Sequence, residues 1–216
     1  MISIFLVCEN LLTDSNSILK SAYQRNLVEY YVSGSAAQYI NGSYQKTKPE
    51  YAFDQIDKKY DWCSNCGRKK EEFPYIVLGV KNKMMNVQGY YIKAGCCDRD
   101  CCCYEEGYYC CECCMYSWNF QISTDNTTWK TVSKVEKDKE MRKCNQKTYK
   151  FSESYPAKYV RLIQTEACPG DPPCIALNKI EIIGNTDGTE DGVFEFEAED
   201  EDISIIGHIG KQHNSN

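Results

Sequence analysis

The stretch "SWNFQISTDNTTWKTV", residues 117–132, decides the fold class, because it contains two strand-like segments separated by a turn. Its outer parts are rich in aromatic and β-branched residues, which are the types enriched in strands. The central "TDNTT" combines Asp, Asn and Thr, whose side chains hydrogen-bond to nearby backbone and favour tight turns. The stretch therefore predicts an antiparallel pair of strands.

Similar short segments recur from residue 75 onward, each bounded by Gly, Asn, Asp, Ser or Pro. The seven predicted strands are residues 75–80, 89–95, 117–123, 129–135, 147–151, 158–165 and 176–184. No long helical pattern separates them, although residues 15–32 have a mixed pattern that predicts a helix. This spacing predicts an all-β protein, an antiparallel β-sandwich or jelly roll.

Composition and charge divide the 216-residue chain into three parts. Residues 1–34 are predicted to be an N-terminal leader or extension, residues 35–184 the sandwich, and residues 185–216 an acidic tail. The tail holds nine acidic residues and one basic residue, whereas residues 1–184 hold 22 acidic and 24 basic residues. The first ten residues have a short apolar run without a preceding Lys or Arg, so both a short leader and a first strand stay open.

The same composition disfavours several classes of function. The nearly neutral body lacks the clustered basic face that nucleic-acid binding requires. No apolar run approaches the roughly 20 residues of a transmembrane helix. The only histidines, His208 and His213, lie in the acidic tail, so no cysteine has a predicted imidazole base nearby. We therefore expect a protein that is not an enzyme.

Fourteen of the 15 cysteines are predicted to lie at one end of the sandwich. The reason is that alternating antiparallel strands bring every second connection to the same end. Nine of the fourteen are concentrated in an insert at residues 95–116. The fourteen are Cys63, Cys66, Cys96, Cys97, Cys101, Cys102, Cys103, Cys110, Cys111, Cys113, Cys114, Cys144, Cys168 and Cys174.

Three chemical interpretations of these cysteines are open. An even number suits complete disulfide pairing in an oxidising compartment, once a leader that carries Cys8 is removed. The pair Cys63 and Cys66 is instead half of a tetrahedral zinc site, although the insert offers no clean second C-x₂-C pair. A redox role is the third, but no βαβ pattern surrounds this pair. Disulfides are favoured over zinc, and zinc over redox chemistry.

Residues 117–132 and the later "KYVRLIQTEACPGDPPCIALNKIEIIG", residues 158–184, resemble the discoidin domain, also called the coagulation factor V/VIII type C domain. The segments "YAFDQIDKKYDW" (51–62) and "FPYIVLGVKNKMMNVQGYYIKAG" (73–95) extend the resemblance over roughly residues 35–184. It implies a galactose-binding-like jelly roll that binds carbohydrate, phospholipid head groups or protein through loops at one end. The family's short loop at 96–116 is replaced here by the cysteine-rich insert.

The insert carries the candidate ligand-binding residues, since aromatic rings on a stiff loop stack on sugars or anchor a protein interface at low entropic cost. The candidates are Tyr104, Tyr108, Tyr109, Met115, Tyr116 and Arg99. The alternative is that the rings only cover the cysteines.

The resemblance also implies a structural calcium ion on segment 51–62, because many carbohydrate-binding relatives hold one there with a glutamate of the last strand. Oxygen ligands of this kind suit Ca²⁺. The matching groups are the carbonyl oxygens of Ala52 and Lys59 and the side chains of Asp54, Asp57 and Glu181. The alternative is a surface loop closed by ion pairs with Lys58 and Lys59.

Two hypotheses of function follow. In the first, a secreted or cell-surface module binds carbohydrate, phospholipid or protein through loops that disulfides stiffen. In the second, a cytoplasmic protein-interaction domain uses the same cysteines to bind zinc. The first requires oxidised thiols and a cleaved leader, and the second requires reduced thiols and an intact first residue.

Overall fold

The computed structural model describes residues 16–54, 58–66, 72–97, 101–104, 109–110 and 115–187. For residues 103–104 and 109–110 of the insert it describes the backbone only. Residues 1–15 of the predicted leader or extension (1–34) and residues 188–216 of the predicted acidic tail (185–216) lie outside the described residues.

The described residues contain thirteen strands, which form two larger sheets and one small one. In chain order the strands are β1 (Val28–Val32), β2 (Ala37–Ile40), β3 (Ser43–Lys46), β4 (Trp62–Cys63), β5 (Tyr75–Val80), β6 (Met85–Ala94), β7 (Cys103–Tyr104), β8 (Tyr109–Cys110), β9 (Ser117–Ser123), β10 (Lys130–Val135), β11 (Gln146–Ala157), β12 (Tyr159–Glu166) and β13 (Ala176–Thr186). The five-stranded sheet has the order β1-β5-β12-β9-β10. The second large sheet, called the four-stranded sheet here, has the order β11-β6-β13-β4. The pairs in both sheets are antiparallel, so the predicted β-sandwich is confirmed.

The two sheets meet in an aromatic core that includes strand β9. Trp118 and Phe120 are fully buried, and the ring of Phe120 stacks on that of Tyr90 with centroids 4.2 Å apart. The indole nitrogen of Trp118 donates a hydrogen bond of 3.2 Å to the Tyr90 hydroxyl. The polar atoms of these buried rings are therefore satisfied, which is a condition for placing Trp and Tyr in a core.

The predicted strands 75–80 and 117–123 match β5 and β9 to the residue. The largest difference is at β11, which continues six residues past the predicted end at 151. A register shift between Lys150 and Tyr155 accommodates the extra length, so the strand stays paired with β6 on both sides of the irregularity.

Residues 16–34 belong to the sandwich, which corrects the predicted boundary at residue 34. Helix α1 (Ile18–Gln24) buries Ile18, Leu19 and Ala22 in the main core, and β1 pairs with β5. The predicted helix over 15–32 is wrong in its second half. Asn26 has a left-handed φ of 56°, and the β-branched and aromatic residues that follow prefer a sheet. Within the described residues, no helix has the length and apolar character needed to span a bilayer.

A third, small sheet has the order β3-β2-β7-β8. Strands β2 and β3 form a hairpin, and Ala37 of β2 pairs with Cys103 of β7 in the insert. None of these four strands was predicted from the sequence. The small sheet joins the insert to a hairpin more than fifty residues earlier in the chain, and it lies beside the cysteines.

Candidate functional site

The end of the sandwich that carries the described cysteines is called the cysteine end here. It consists of residues 61–66, 95–97, 101–102, 136–145 and 167–175, together with the hairpin β2–β3. The cross-links between cysteines in this part of the chain are Cys63–Cys102, Cys96–Cys101 and Cys97–Cys144. Cys168 is also disulfide-bonded. The cross-links tie the insert to strand β4 and to the loop before β11, as the favoured interpretation of the sequence predicted.

The cysteines also provide apolar filling. A small cluster separate from the main core consists of Ala36, Cys63, Cys66, Cys101, Cys102, Cys174 and Ala176, with Cys96 packed against it. Cys63, Cys102 and Cys174 have no exposed surface. Among the described residues, no group of three or more His, Cys, Asp or Glu side chains is arranged to hold a metal ion.

Asp61 links the hairpin, the insert and the last strand. One of its carboxylate oxygens accepts hydrogen bonds from Gln38 Nε2 (2.9 Å) and from the backbone nitrogen of Cys96 (2.7 Å). The other accepts one from Asn178 Nδ2 (3.0 Å), and Gln38 Oε1 accepts one from the Asp61 nitrogen (2.8 Å). Burial raises the pKa of Asp61, and the hydrogen bonds from Asn178, Cys96 and Gln38 oppose that shift. Sequence reasoning missed Asp61, because nothing local marks it as buried.

The hairpin β2–β3 presents two tyrosines at the cysteine end. Tyr39 and Tyr44 lie opposite each other, with ring centroids 5.2 Å apart and planes at 70°. They are 44% and 39% exposed, which is unusual for large hydrophobic side chains in the described part of this protein. Asn41 and Gly42 turn the hairpin with φ of 51° and 88°. An Asn-Gly pair between strand-like segments is a strong hairpin signal, so this element was readable from the sequence.

The root of the hairpin is fixed to the cysteine end. The nitrogen of Ala36 donates to the carbonyl oxygen of Cys63 (2.9 Å), and the Thr47 hydroxyl lies 3.0 and 3.1 Å from the carbonyl oxygens of Ala36 and Cys63. Gln38 is buried while its neighbour Tyr39 is exposed, as successive residues of a strand must be. The tyrosine pair is therefore displayed from an anchored element.

A cleft of about 360 Å³ opens beside the loops 136–145 and 167–175. Its lining residues are Tyr116, Lys139, Arg142, Lys143, Cys168, Pro169 and Asp171. The three basic side chains are exposed, and Tyr116 is mostly buried. Such a cleft offers several hydrogen-bond donors and one aromatic edge.

The loop 136–145 has a backbone that is held in unusual conformations. Lys137, Lys143 and Cys144 have φ of 53°, 48° and 66°, a region that costs non-glycine residues about 1–3 kcal/mol each. The loop keeps this shape because Met141 is buried in the main core and Cys144 is cross-linked to the insert. Non-glycine residues in this region concentrate at functional sites.

The predicted ligand-binding residues of the insert divide into two groups. Met115 is 1% exposed and belongs to the main core, which corrects its assignment as a ligand contact, and Tyr116 reaches the cleft with 7% of its surface exposed. The others, and five of the cysteines, lie outside the residues whose side chains are described. These are Arg99, Tyr104, Tyr108, Tyr109, Cys103, Cys110, Cys111, Cys113 and Cys114.

Two of the groups expected to bind calcium, the side chains of Asp54 and Glu181, make other contacts. Lys58 Nζ contacts the carbonyl oxygen of Tyr51 and the carboxylate of Asp54, and Lys179 Nζ contacts the carbonyl oxygens of Phe53 (3.1 Å) and Asp54. Glu181 accepts three hydrogen bonds from backbone nitrogens. Ala52 is buried, Lys59 is exposed, and Asp57 lies outside the described residues.

No family model matches the sequence, and no match was found among curated proteins. Several solved structures share its fold, among them three with TM-scores of 0.50 to 0.52. The first is a family 32 carbohydrate-binding module of NanJ from Clostridium perfringens in complex with galactose (11% identity, 77% of this chain and 97% of that chain covered, TM-score 0.51). The second is the third such module of a family 31 glycoside hydrolase from the same organism (13% identity, 77% of this chain and 99% of that chain covered, TM-score 0.52). The third is the C-terminal domain of a chitobiase from Bacteroides fragilis (12% identity, 79% of this chain and 99% of that chain covered, TM-score 0.50). The chain therefore shares the galactose-binding-like β-sandwich fold of carbohydrate-binding modules.

Proposed function

We propose that this protein is a non-catalytic carbohydrate-binding module, secreted or exposed at the cell surface, that binds its ligand at the cysteine end. The observation that carries the proposal is the exposed pair Tyr39 and Tyr44 on a hairpin whose root is hydrogen-bonded to Cys63 and whose neighbour is the disulfide-linked insert.

The geometry of the pair suits a sugar. The apolar C–H face of a pyranose packs on an aromatic ring, and a second ring packed against the first enlarges the apolar surface. With centroids 5.2 Å apart and planes at 70°, Tyr39 and Tyr44 pack edge to face and form one exposed aromatic patch, and each phenol supplies a polar atom for a sugar hydroxyl. The cleft near Tyr116, Arg142 and Lys143 provides further donors for hydroxyl or acidic groups.

The anchoring of the site supports the same function. Weak ligands such as sugars leave little free energy to order a loop on binding, so a loop that is ordered in advance binds more tightly. Disulfides fix the insert and the loop 136–145, and Asp61 fixes the hairpin through Gln38. Disulfides of this number are typical of oxidising compartments, which supports a secreted or surface location.

A glycan array followed by calorimetric titration of the retained sugar tests the proposal. We expect Tyr39→Ala and Tyr44→Ala each to weaken binding about tenfold, which corresponds to about 1.4 kcal/mol. Tyr31→Ala is the matched control, because Tyr31 is also exposed (48%) but lies on β1 at the edge of the five-stranded sheet. Retention on phospholipid vesicles without any glycan, or equal affinity of all three variants, would contradict it.

The state of the cysteines is tested by intact mass, native and denatured, with and without reductant. We expect two hydrogens fewer for each disulfide and no metal adduct. Reduced thiols with bound zinc would favour the intracellular protein-interaction domain instead, since zinc binds the thiolate form.

A further inference from the structure

Two lysines reach the flank of the four-stranded sheet, where the loop after the 3₁₀ turn Pro49–Ala52 passes strand β13. This region is called the lysine flank here and consists of Pro49–Ala52, Phe53, Asp54, Lys58, Lys179 and Glu181. It is the place where the family resemblance implies a calcium ion. Whether a divalent cation fits here depends on the partners that its oxygen atoms already have.

Lys58 is buried in the loop itself. Its side chain is 2% exposed and that of Asp54 is 6% exposed, and the two form an ion pair four residues apart. The same ammonium contacts the carbonyl oxygen of Tyr51 and lies 5.4 Å from the ring centroid of Tyr60. The Lys58 ammonium therefore contacts a carboxylate oxygen and a carbonyl oxygen and lies over an aromatic ring.

Lys179 reaches the same loop from β13. Its ammonium contacts the carbonyl oxygens of Phe53 (3.1 Å) and Asp54, across more than a hundred residues of sequence. Burial lowers the pKa of both lysines, and the nearby Asp54 and Glu181 carboxylates oppose that shift. These partners are the hydrogen-bond acceptors that a buried ammonium requires.

The Glu181 carboxylate binds backbone N–H groups. It is 2% exposed, and its oxygens accept hydrogen bonds from the nitrogens of Leu19 (2.7 Å), Lys20 (3.1 Å) and Ile182 (2.9 Å). Two of these nitrogens belong to the first turn of α1, which lacks a side-chain cap of its own. The carboxylate thus caps a helix, and its lone pairs are directed at N–H groups.

We propose that the ammonium groups of Lys58 and Lys179 take the place of a divalent cation in the lysine flank, so that the fold of this domain is independent of calcium. Two ammonium groups supply two positive charges, the same as one Ca²⁺, and they are attached covalently. A calcium ion at the same oxygens would have to displace both lysines or sit beside them, and like charges at such distances repel strongly in a buried site.

Calcium itself is the first probe. Thermal unfolding of the full chain is measured in excess EDTA and in millimolar CaCl₂, with calorimetric titration of CaCl₂ into the EDTA-treated protein. The expected result is the same midpoint in both buffers and no heat of saturable binding. A midpoint several degrees higher with calcium, or saturable binding of one ion per chain, overturns the proposal.

Variants of the lysines give an independent readout. Lys58→Met and Lys179→Met keep an apolar stem but remove the charge, and we expect each to lower the thermal midpoint by several degrees in both buffers. Lys150→Met, an exposed lysine on β11, is the matched control. Equal midpoints for all three variants contradict the proposal. If a flank variant does not fold, the calcium measurement on the unaltered chain still decides.

Discussion

The cysteine end and the lysine flank both consist of irregular chain packed against the same sandwich, yet different forces hold them. At the cysteine end, covalent cross-links join segments that share a small core of sulfur and alanine. In the lysine flank, buried ammonium groups join carbonyl and carboxylate oxygens. A disulfide acts mainly by restricting the unfolded chain, whereas a buried ion pair acts only in the folded state and depends on both partners. The stability of the cysteine end should therefore respond to reductant, and that of the lysine flank to substitution of single charged residues.

The lysine flank should give the largest effect. Breaking a buried ion pair by removing one partner leaves an uncompensated charge and costs about 3–5 kcal/mol, whereas replacing both partners by apolar residues is often nearly neutral. We therefore expect Asp54→Leu and Lys58→Met each to lower the free energy of unfolding by that amount, and the double variant to lose less than either. Denaturant titration measures all three. Additive losses would show that the pair is not coupled.

The cross-link Cys63–Cys102 should give the next largest effect. It joins residues 39 apart in sequence, and disulfides typically contribute about 2–4 kcal/mol. The variant with both cysteines changed to alanine is expected to lose this amount and to become less sensitive to reductant than the unaltered chain. Lys58→Met should keep the full response to reductant, because its defect lies outside the cysteine end. Equal responses of both variants would remove the distinction between the two regions.

The dependence of stability on pH tests the lysine flank separately, through Glu181. Burial raises its pKa to about 7, against the hydrogen bonds that lower it. Between about pH 4.5 and 7 the folded state then holds more protons than the unfolded chain, so stability is full at the acidic side and is lost as pH rises. The rise from 4.5 to about 7 corresponds to a loss of roughly 3 kcal/mol. We expect Glu181→Gln to flatten the dependence of the unfolding midpoint between pH 5 and 8. An unchanged slope would assign that dependence to other groups.

Sequence reasoning found the sandwich because its main strands are marked locally. Segments such as 117–123 are aromatic, β-branched and bounded by turns, and these signals do not require knowledge of their neighbours. It failed for β1, whose residues follow a helical pattern without a clear break, and for β2 and β3, where the Asn-Gly turn was overlooked. Strands of two residues, such as β7 and β8, carry no periodic signal at all.

The position of the cysteine end was predictable, but its contacts were not. Alternation of antiparallel strands indicated where the cysteines lie, since it depends only on strand order. The pairing of fourteen cysteines does not follow from their spacing, because many connectivities share one sequence. The contact between Lys179 and Asp54 spans 125 residues, and the burial of Asp61 depends on three separate elements. Such contacts follow only from the packed fold.

Gln38→Ala should have the smallest effect on stability, and it tests whether cross-links alone order the hairpin β2–β3. The buried amide exchanges two hydrogen bonds with Asp61, and removing it leaves the Asp61 nitrogen without this acceptor. We expect a loss of about 1–2 kcal/mol in the free energy of unfolding, and weaker binding of the sugar identified on the array. Gln45→Ala is the matched control, since Gln45 is exposed on the same hairpin and bonds only within it among the contacts described. If Gln38→Ala binds the sugar as tightly as this control, disulfides and strand pairing suffice to hold the tyrosines. If it binds more weakly with every disulfide intact, the cysteine end also depends on a buried carboxylate, and the two regions differ less than their cross-links suggest.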